Sequence, residues 1–340
     1  FSKEAVSLKE VHPTYIRSLI SGLTGALEEK KEIVWGPVLE LCQWVIKQPR
    51  DTVSQFLGFS KDCDPDWSWT WKSIVRFLSV GFTKNLVPFE QRSIVWSIIN
   101  PITDDPDPSS ERENAGMDPA TLAINSVRGE AIDTVICYAL WIHKHLENLP
   151  DAAEKLSRGF EEIKEAKVVL EKHLDTKQDP SLAIRAIYGK WLPWLILIDS
   201  GWVRENISRI FPTQKSLRSY YDVAWETYII FCNIYDNVYS VLKKQYEDAI
   251  ESLGKNHVNK NRLGDPDVHL TEHVMTLYWR GFFQIDDPKN IFSRFWKQAP
   301  GKLKSHAIEF IGRILYKTQT DIPPLVLQRL KILWENRLKA

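Results

Sequence analysis

Apolar residues recur at helical spacing along most of the chain, and this periodicity constrains the fold more than any other feature. The clearest case is Ser126–Leu140, where apolar side chains follow a helical period around a small residue at which another helix could pack closely. Looser versions occur at Ser181–Trp191 and Ser305–Leu315. Because no stretch alternates apolar and polar residues over the length of a strand, the sequence predicts an all-α fold.

Start and stop signals support several of the predicted helices. A proline directly follows Asp118, Asp287 and Pro323, and proline suits the first position of a helix. Pro49 and Pro212 mark ends. The predicted helices cover roughly residues 13–30, 33–48, 68–83, 88–99, 119–148, 152–174, 181–198, 200–210, 215–233, 235–253, 267–283, 288–298, 302–318 and 323–338.

Short connections between predicted helices indicate how the helices are arranged. Residues 181–198 and 200–210 are almost contiguous, and short loops favour antiparallel neighbours. Stacked antiparallel pairs form an α-solenoid of the HEAT or armadillo type, with units of about 40 residues. We therefore predict that residues 1–340 form a single irregular helical-repeat array, in which a soft boundary would fall near 104–118, or else at 60–71 or 255–266. Because the chain starts at Phe1 and has only 2 Met, we expect it to be a fragment of a longer protein.

Composition narrows the classes of partner and compartment. The chain has 44 basic and 44 acidic residues, so bulk charge does not favour a nucleic-acid partner. No apolar run approaches the ~20 residues of a membrane span, and no signal peptide is visible. Cys42, Cys137 and Cys232 lie in apolar helical runs, and Cys63 is far from all three. This pattern predicts buried free thiols in a reducing, cytoplasmic setting, and most of the 14 Trp are expected in the core.

One motif is compatible with metal chemistry. His269, Glu272 and His273 match the H-x-x-E-H pattern, in which two imidazoles on one helix face hold zinc and the glutamate activates water. A third ligand is needed, and neither Glu309 nor Glu335 lies in a recognisable ligand motif. The residues favour a partly exposed structural helix. We therefore assign no catalytic, cofactor-binding or metal-binding residue, and a metal-dependent hydrolase remains the alternative.

Acidic residues cluster in two predicted loops. Asp62, Asp64 and Asp66 resemble the start of a calcium loop, but Trp67 and Ser73 stand where that loop needs glycine and glutamate, so a solvated turn with helix caps is favoured. The other cluster is expected to be a mobile solvated segment, with a site for a metal or a basic partner as the alternative. Its members are Asp104, Asp105, Asp107, Glu111 and Glu113.

Three further residue sets have both a binding and a structural interpretation. Arg128, Arg185 and Arg313 recur in the three related helices, and we favour structural bonds to helix-end carbonyls or neighbouring carboxylates over a ladder for an anionic partner. Aromatic residues at helical spacing in 215–240 are interpreted as helix-pair core rather than a peptide groove; they are Tyr220, Tyr221, Trp225, Tyr228, Phe231, Tyr235 and Tyr239. A local basic face for nucleic acid would comprise Lys243, Lys244, Lys255, Lys260 and Arg262.

Several phrases resemble segments of large bacterial multidomain proteins in which a helical array follows an NTPase or other effector domain, some of them associated with anti-phage defence. The phrases are Asn125–Ala131, Tyr188–Trp194 with Trp202 and Ile210–Pro212, Glu272–Gly281 and Leu333–Arg337. The resemblance spans about residues 120–340 and carries no catalytic residue. It implies a sensor or scaffold role. We expect the partner to be a protein or a flanking domain of the same polypeptide. The balanced charge disfavours nucleic acid, and because no catalytic motif is stronger than H-x-x-E-H we expect no enzyme activity. The sequence leaves the partner, the binding face and the oligomeric state open.

Overall fold

The computed structural model describes residues 4, 11–50, 66–254, 263–318 and 321–338. In these ranges the chain forms eighteen α-helices, joined by loops and three short 3-10 turns, and contains no strand. The all-α prediction is therefore confirmed. Within the same ranges, no helix has both the length and the hydrophobicity that a membrane span requires.

The chain divides into two compact units, residues 1–224 and 225–340. The division falls within α13, whereas the segment 104–118 lies inside the first unit. The first unit contains α1 (Pro13–Glu28), α2 (Trp35–Val45), α3 (Ser68–Thr83), α4 (Arg92–Ile102), α5 (Ser110–Glu113), α6 (Pro119–Ile124), α7 (Val127–Leu146), α8 (Ala152–Ser157), α9 (Lys164–Leu174), α10 (Leu182–Lys190), α11 (Leu192–Ile198), α12 (Ser200–Ile210) and the first part of α13 (Arg218–Phe231).

The second unit is organised around α15. This helix packs against α16, α17 and α18, and its buried side chains include Val274, Met275 and Leu277. The unit contains the rest of α13, then α14 (Asp236–Glu251), α15 (Pro266–Trp279), α16 (Ile291–Gln298), α17 (Gly301–Lys317) and α18 (Pro324–Leu338).

In the first unit the central element is α7. Buried side chains cover most of its circumference, and it packs against α3, α4, α6 and the successive helices α8 to α11. A helix that is apolar on nearly all sides is stable only when other elements cover it. Ser126 starts the helix, because its hydroxyl accepts a hydrogen bond from the Gly129 amide at 3.3 Å.

Several predicted helices are interrupted, and local contacts explain where. Residues 119–148 form α6 and α7 because Ser126 caps a new helix. Residues 152–174 break at Gly159, which has φ +51° and packs against the Asp199 side chain. Asp199 accepts hydrogen bonds from the amides of Phe160 and Trp202, at 3.1 and 2.8 Å.

Two of the three predicted proline starts are confirmed. Asp118 caps α6, and α18 begins at Pro324. The start predicted at Pro288 is wrong, because Asn290 accepts a hydrogen bond from the Ser293 amide at 2.8 Å and α16 begins one residue after this cap.

The sequence predicted close packing at a small residue of the repeated helices, and Gly189 on α10 provides a test of it. A Cβ at this position would overlap the backbone carbonyl of Ala224, which a small side-chain movement cannot relieve. We expect Gly189→Ala to lower the free energy of unfolding by about 1–3 kcal/mol, the usual cost of overpacking. Chemical denaturation monitored by circular dichroism measures the change.

The matched control is Gly22→Ala on α1, where a Cβ would meet no atom within 4 Å. This variant is expected to gain about 0.5–1 kcal/mol, because alanine has the better helix propensity. Equal effects of the two substitutions would contradict the close approach at Gly189.

Candidate functional site

The H-x-x-E-H motif lies on α15, but its residues point to different surroundings. His273 is buried, with Nε2 at 2.9 Å from the Cys232 carbonyl oxygen and Nδ1 at 2.8 Å from the Tyr246 hydroxyl. Because a carbonyl oxygen can only accept, Nε2 carries the proton and Nδ1 accepts from Tyr246. Tyr246 in turn accepts from the hydroxyl of Tyr228 at 2.8 Å. Both ring nitrogens of His273 are thus used within the core.

Burial determines the charge state of this chain of hydrogen bonds. Desolvation lowers the pKa of His273 from 6.5 to about 4, although the hydrogen bond to the Cys232 carbonyl opposes the shift. Desolvation also raises the pKa of Tyr246 and Tyr228 well above their ordinary value. All three groups are therefore neutral at pH 7, and the cluster is a polar contact between helices of the second unit.

Glu272 points away from His273, towards α17. Its carboxylate lies 3.0 Å from Nε2 of His306 and 3.2 Å from the Arg313 guanidinium, while Nδ1 of His269 is 3.8 Å away. A metal at His273 would have to replace one of the buried hydrogen bonds. In the part of the chain that the structure describes, no three His, Cys, Asp or Glu side chains are grouped so that they could hold a metal ion.

The acidic segment 103–116 differs from the expectation of a mobile solvated loop. Asp105 is buried and pairs with Arg50, whose Nε lies 2.8 Å from the carboxylate. Asp107 accepts a hydrogen bond from the first amide of α7, that of Val127, at 2.9 Å, and also pairs with Arg112. The prediction of a solvated segment was therefore wrong for these residues, because arginine and backbone amides compensate the buried charge.

The rest of the acidic cluster is more exposed. Glu111 is exposed, and Asp104, at 57% side-chain exposure, pairs with Lys172. Glu113 accepts hydrogen bonds from the Ser181 hydroxyl and the Ala183 amide at the start of α10. In the other acidic segment Asp66 accepts a hydrogen bond from the Ser68 amide, the first of α3, at 2.9 Å, whereas Asp62 and Asp64 lie outside the described residues.

The three related arginines make the kinds of bond that the structural interpretation expects. Arg128 donates to the carbonyls of Asp105 and Pro108, at 2.7 and 3.2 Å. Arg185 is almost fully buried and donates to the carbonyls of Arg209 and Leu174, at 2.6 and 2.9 Å. Arg313 pairs with the neighbouring carboxylate of Glu272 on the surface of the second unit.

The described cysteine side chains and most of the tryptophan side chains are buried or half-buried. Cys42 and Cys137 are buried free thiols, and burial raises the pKa of both to about 12, which leaves them poor nucleophiles. Cys232 is half-buried, and Cys63 lies outside the described residues. Most Trp side chains are buried or half-buried; the exposed ones are Trp69, Trp194 and Trp334.

The aromatic stretch 215–240 is largely core, as predicted. Tyr221, Trp225, Tyr228 and Tyr239 are buried, but Phe231 and Tyr235 are exposed, and Tyr220 is half-buried with its hydroxyl donating to the Pro180 carbonyl at 2.9 Å.

The predicted basic face is only partly described. Lys243 is exposed and Lys244 pairs with Asp248 at 2.7 Å, while Lys255, Lys260 and Arg262 lie outside the described residues.

A concave surface that the sequence did not single out opens between α17 and α18. This C-terminal cleft has a volume of about 210 Å³. Its apolar lining comes from α15, α17, α18 and the residues just before α18, namely Trp279, Ile311, Ile314, Leu315, Ile322, Pro323, Val326 and Leu330. Further apolar side chains on the two helices remain exposed, among them Leu325, Leu327, Ile332 and Trp334. The cleft is the candidate functional site.

Comparisons with protein-family models, curated proteins and solved structures found no match for this chain.

The buried His273 predicts a pH dependence of stability. The pKa of His273 is depressed in the folded state. The stability that the neutral imidazole contributes is therefore fully present above pH 6.5 and is lost as pH falls towards 4, because the unfolded chain then binds the proton first. Between pH 7.5 and pH 5.0 this group lowers the free energy of unfolding by about 2 kcal/mol. Urea denaturation at both pH values measures the loss.

His273→Gln should remove most of this pH-dependent difference, whatever its effect at pH 7.5. His269→Gln, on the same helix but about one-third exposed, is the control and should keep the wild-type difference. An unchanged pH difference in His273→Gln would contradict the neutral buried imidazole.

The burial of Asp105 predicts that neutralising this residue costs more stability than neutralising its exposed neighbour Asp104. Asp105→Asn removes a buried carboxylate charge that pairs with the Arg50 guanidinium and accepts a hydrogen bond from the Asp107 amide, and it should lower the free energy of unfolding by about 2–4 kcal/mol. Asp104→Asn, next to it but exposed, should change stability by less than about 1 kcal/mol. Thermal denaturation of the two variants makes the comparison, and similar losses would show that the loop is solvated after all.

Proposed function

We propose that this chain is a protein-recognition region, and that the C-terminal cleft binds the apolar face of an amphipathic helix from a protein partner. The observation that carries the proposal is the open apolar lining of the cleft, together with the exposed apolar side chains of α18. Exposed apolar surface of this kind marks interaction sites in proteins.

The apolar residues follow the helical period along the cleft. Val326 and Leu330 line it, and Trp334 continues the same side of α18 one turn further along, 53% exposed. Ile311 and Leu315 form a corresponding stripe on α17. Two parallel stripes of this kind match helix-in-groove recognition, in which a partner helix inserts side chains at i, i+3, i+4 and i+7.

The size and lining of the cleft favour a side-chain anchor over a small-molecule substrate. Its volume of about 210 Å³ is below the ~300–1,000 Å³ of typical ligand pockets. Thr318 and Asp321 are the polar side chains among the lining residues, and no acid–base pair converges there. Recognition is therefore better supported than the alternative of a hydrolase at His269, Glu272 and His273.

The wider context is also part of the proposal. The resemblance to large bacterial multidomain proteins supports a scaffold or sensor role in the cytoplasm, next to flanking domains of a longer polypeptide. Consecutive helices that are joined by a single residue and pack on each other, such as α11 and α12, support an irregular array of antiparallel pairs.

A library of displayed amphipathic helices tests the proposal on the full 340-residue chain. Selection should enrich peptides that bind the wild type and bind Ile314→Asp at least about tenfold more weakly, because a charge in the cleft opposes apolar insertion. Ile314 is already 38% exposed, so the substitution is expected to leave the fold intact.

Tyr316→Asp is the matched control. Tyr316 lies on the same helix, is 92% exposed and does not line the cleft. It should bind the selected peptides like the wild type. Peptides that bind all three proteins equally, or no enriched peptide at all, would overturn the proposal.

A further inference from the structure

The polar groups at one end of the C-terminal cleft narrow its partner. Resting on the proposed recognition function, we infer that the amphipathic helix bound there carries a lysine or arginine one turn beyond its apolar anchors, and that this cation pairs with Asp321. The apolar anchors fill the rest of the cleft.

Asp321 is the charged side chain among the residues that line the cleft, and apart from Thr318 the other lining residues are apolar. Asp321 is exposed, and within the described ranges it forms no ion pair. A partner that covers the cleft removes water from this carboxylate, which costs free energy unless a group of opposite charge replaces the water. An acidic or purely apolar occupant would leave the carboxylate uncompensated.

The basic residues of the surrounding helices do not compensate Asp321. No Lys or Arg side chain that the structure describes on α17 or α18 lines the cleft. Arg313 pairs with a glutamate of α15, and Arg329 donates to the Phe283 carbonyl at 3.3 Å. The C-terminus of α17 and the N-terminus of α18 meet at this loop, and their partial charges have opposite signs and offset each other. Asp321 therefore sets the sign of the charge at the loop end of the cleft.

Hydrogen-bond polarity leads to the same partner group. The Thr318 hydroxyl donates its proton to the Ile314 carbonyl at 2.8 Å, so its oxygen remains available as an acceptor. The ionised carboxylate of Asp321 also only accepts. Because both polar side chains of the lining offer acceptors, this end suits a group that donates several hydrogen bonds and carries positive charge. Among side chains, the ammonium of lysine and the guanidinium of arginine meet both conditions.

The apolar walls suit the stem of a basic side chain as well as the apolar anchors. Trp279 is half-buried, and the ring of Phe310 supports it by stacking, with ring centroids 5.7 Å apart. Lysine and arginine stems cover apolar surface while their charged heads reach a polar group. From Val326 to Trp334 the apolar stripe of α18 is about 12 Å long, which matches about two turns of a partner helix. The cation of the partner therefore lies at the loop end, one turn beyond these contacts.

Five labelled helical peptides of about 18 residues test the inference by fluorescence anisotropy on the full chain. All have leucine at i, i+4 and i+7 and glutamine at the outward positions. Arginine or glutamate replaces glutamine either one turn before the first leucine or one turn after the last, and the fifth peptide keeps glutamine at both places. In one of the two placements, the arginine peptide should bind about three- to tenfold more tightly than the glutamine peptide at low salt, and the glutamate peptide most weakly. High salt should reduce the difference.

Substitutions of Asp321 locate the cation. Asp321→Asn should abolish the preference for arginine over glutamine, and Asp321→Lys should reverse it, so that the glutamate peptide binds more tightly than the arginine peptide. Asp321 is an exposed loop residue, so both substitutions are expected to leave the fold intact.

The matched control is Glu309→Gln. It removes the same charge as Asp321→Asn from an exposed residue of α17 that does not line the cleft, and it should keep the wild-type preference. Equal loss of the preference in Glu309→Gln and Asp321→Asn would overturn the assignment of the cation to Asp321.

The outcomes separate this inference from the proposed function. If the glutamine peptide binds as tightly as the arginine peptides and Ile314→Asp weakens its binding, the basic preference is wrong while cleft recognition stands. The same holds if the glutamate peptides bind most tightly, or if the display selection succeeds while none of the five peptides binds. If none of the peptides binds and the display selection also fails, both are wrong.

Discussion

The burial of α7 is the constraint on which the first unit depends. A helix of 20 residues with apolar side chains on most of its circumference cannot remain next to water, so α3, α4, α6 and the helices that follow must cover it. The backbone amides at the N-terminus of α7 also need hydrogen-bond partners, and this explains the structure of the acidic segment before the helix. Asp107 reaches the Val127 amide, while Arg128 extends back to the carbonyls of Asp105 and Pro108.

Helical periodicity predicted the existence and type of the elements better than their ends. The helices over 68–83 and 200–210 have the predicted bounds, because capping or helix-breaking residues lie at their ends. The predicted helix 152–174 does not, because the break at Gly159 depends on Asp199, a residue distant in sequence. Helical periodicity also does not predict which helices pack together. Units of a simple repeat contact only their neighbours, whereas α7 also packs against α3 and α4.

Polar residues show where short patterns are ambiguous. The H-x-x-E-H spacing places two histidines on neighbouring turns, but only the tertiary fold brings the Tyr246 hydroxyl and the Cys232 carbonyl to His273. Likewise a run of aspartates suggests solvent, and only the fold brings Arg50 to Asp105. Sequence spacing fixes the side of a helix on which a group lies, whereas the partner that determines its chemistry comes from another element.

Charged side chains have different roles around α7 and α10 and on α17 and α18. Around α7 and α10 the arginine side chains donate hydrogen bonds to backbone carbonyls, Arg128 to that of Asp105 and Arg185 to that of Leu174. On α17 and α18 lysines stay in solvent beside apolar residues that no described element covers. A sequence hint existed in α18, where Leu325, Leu327, Ile332 and Trp334 exceed what one buried helix face can hold. Apolar residues on the flanks of an otherwise buried helix face indicate a second surface that is available for contact.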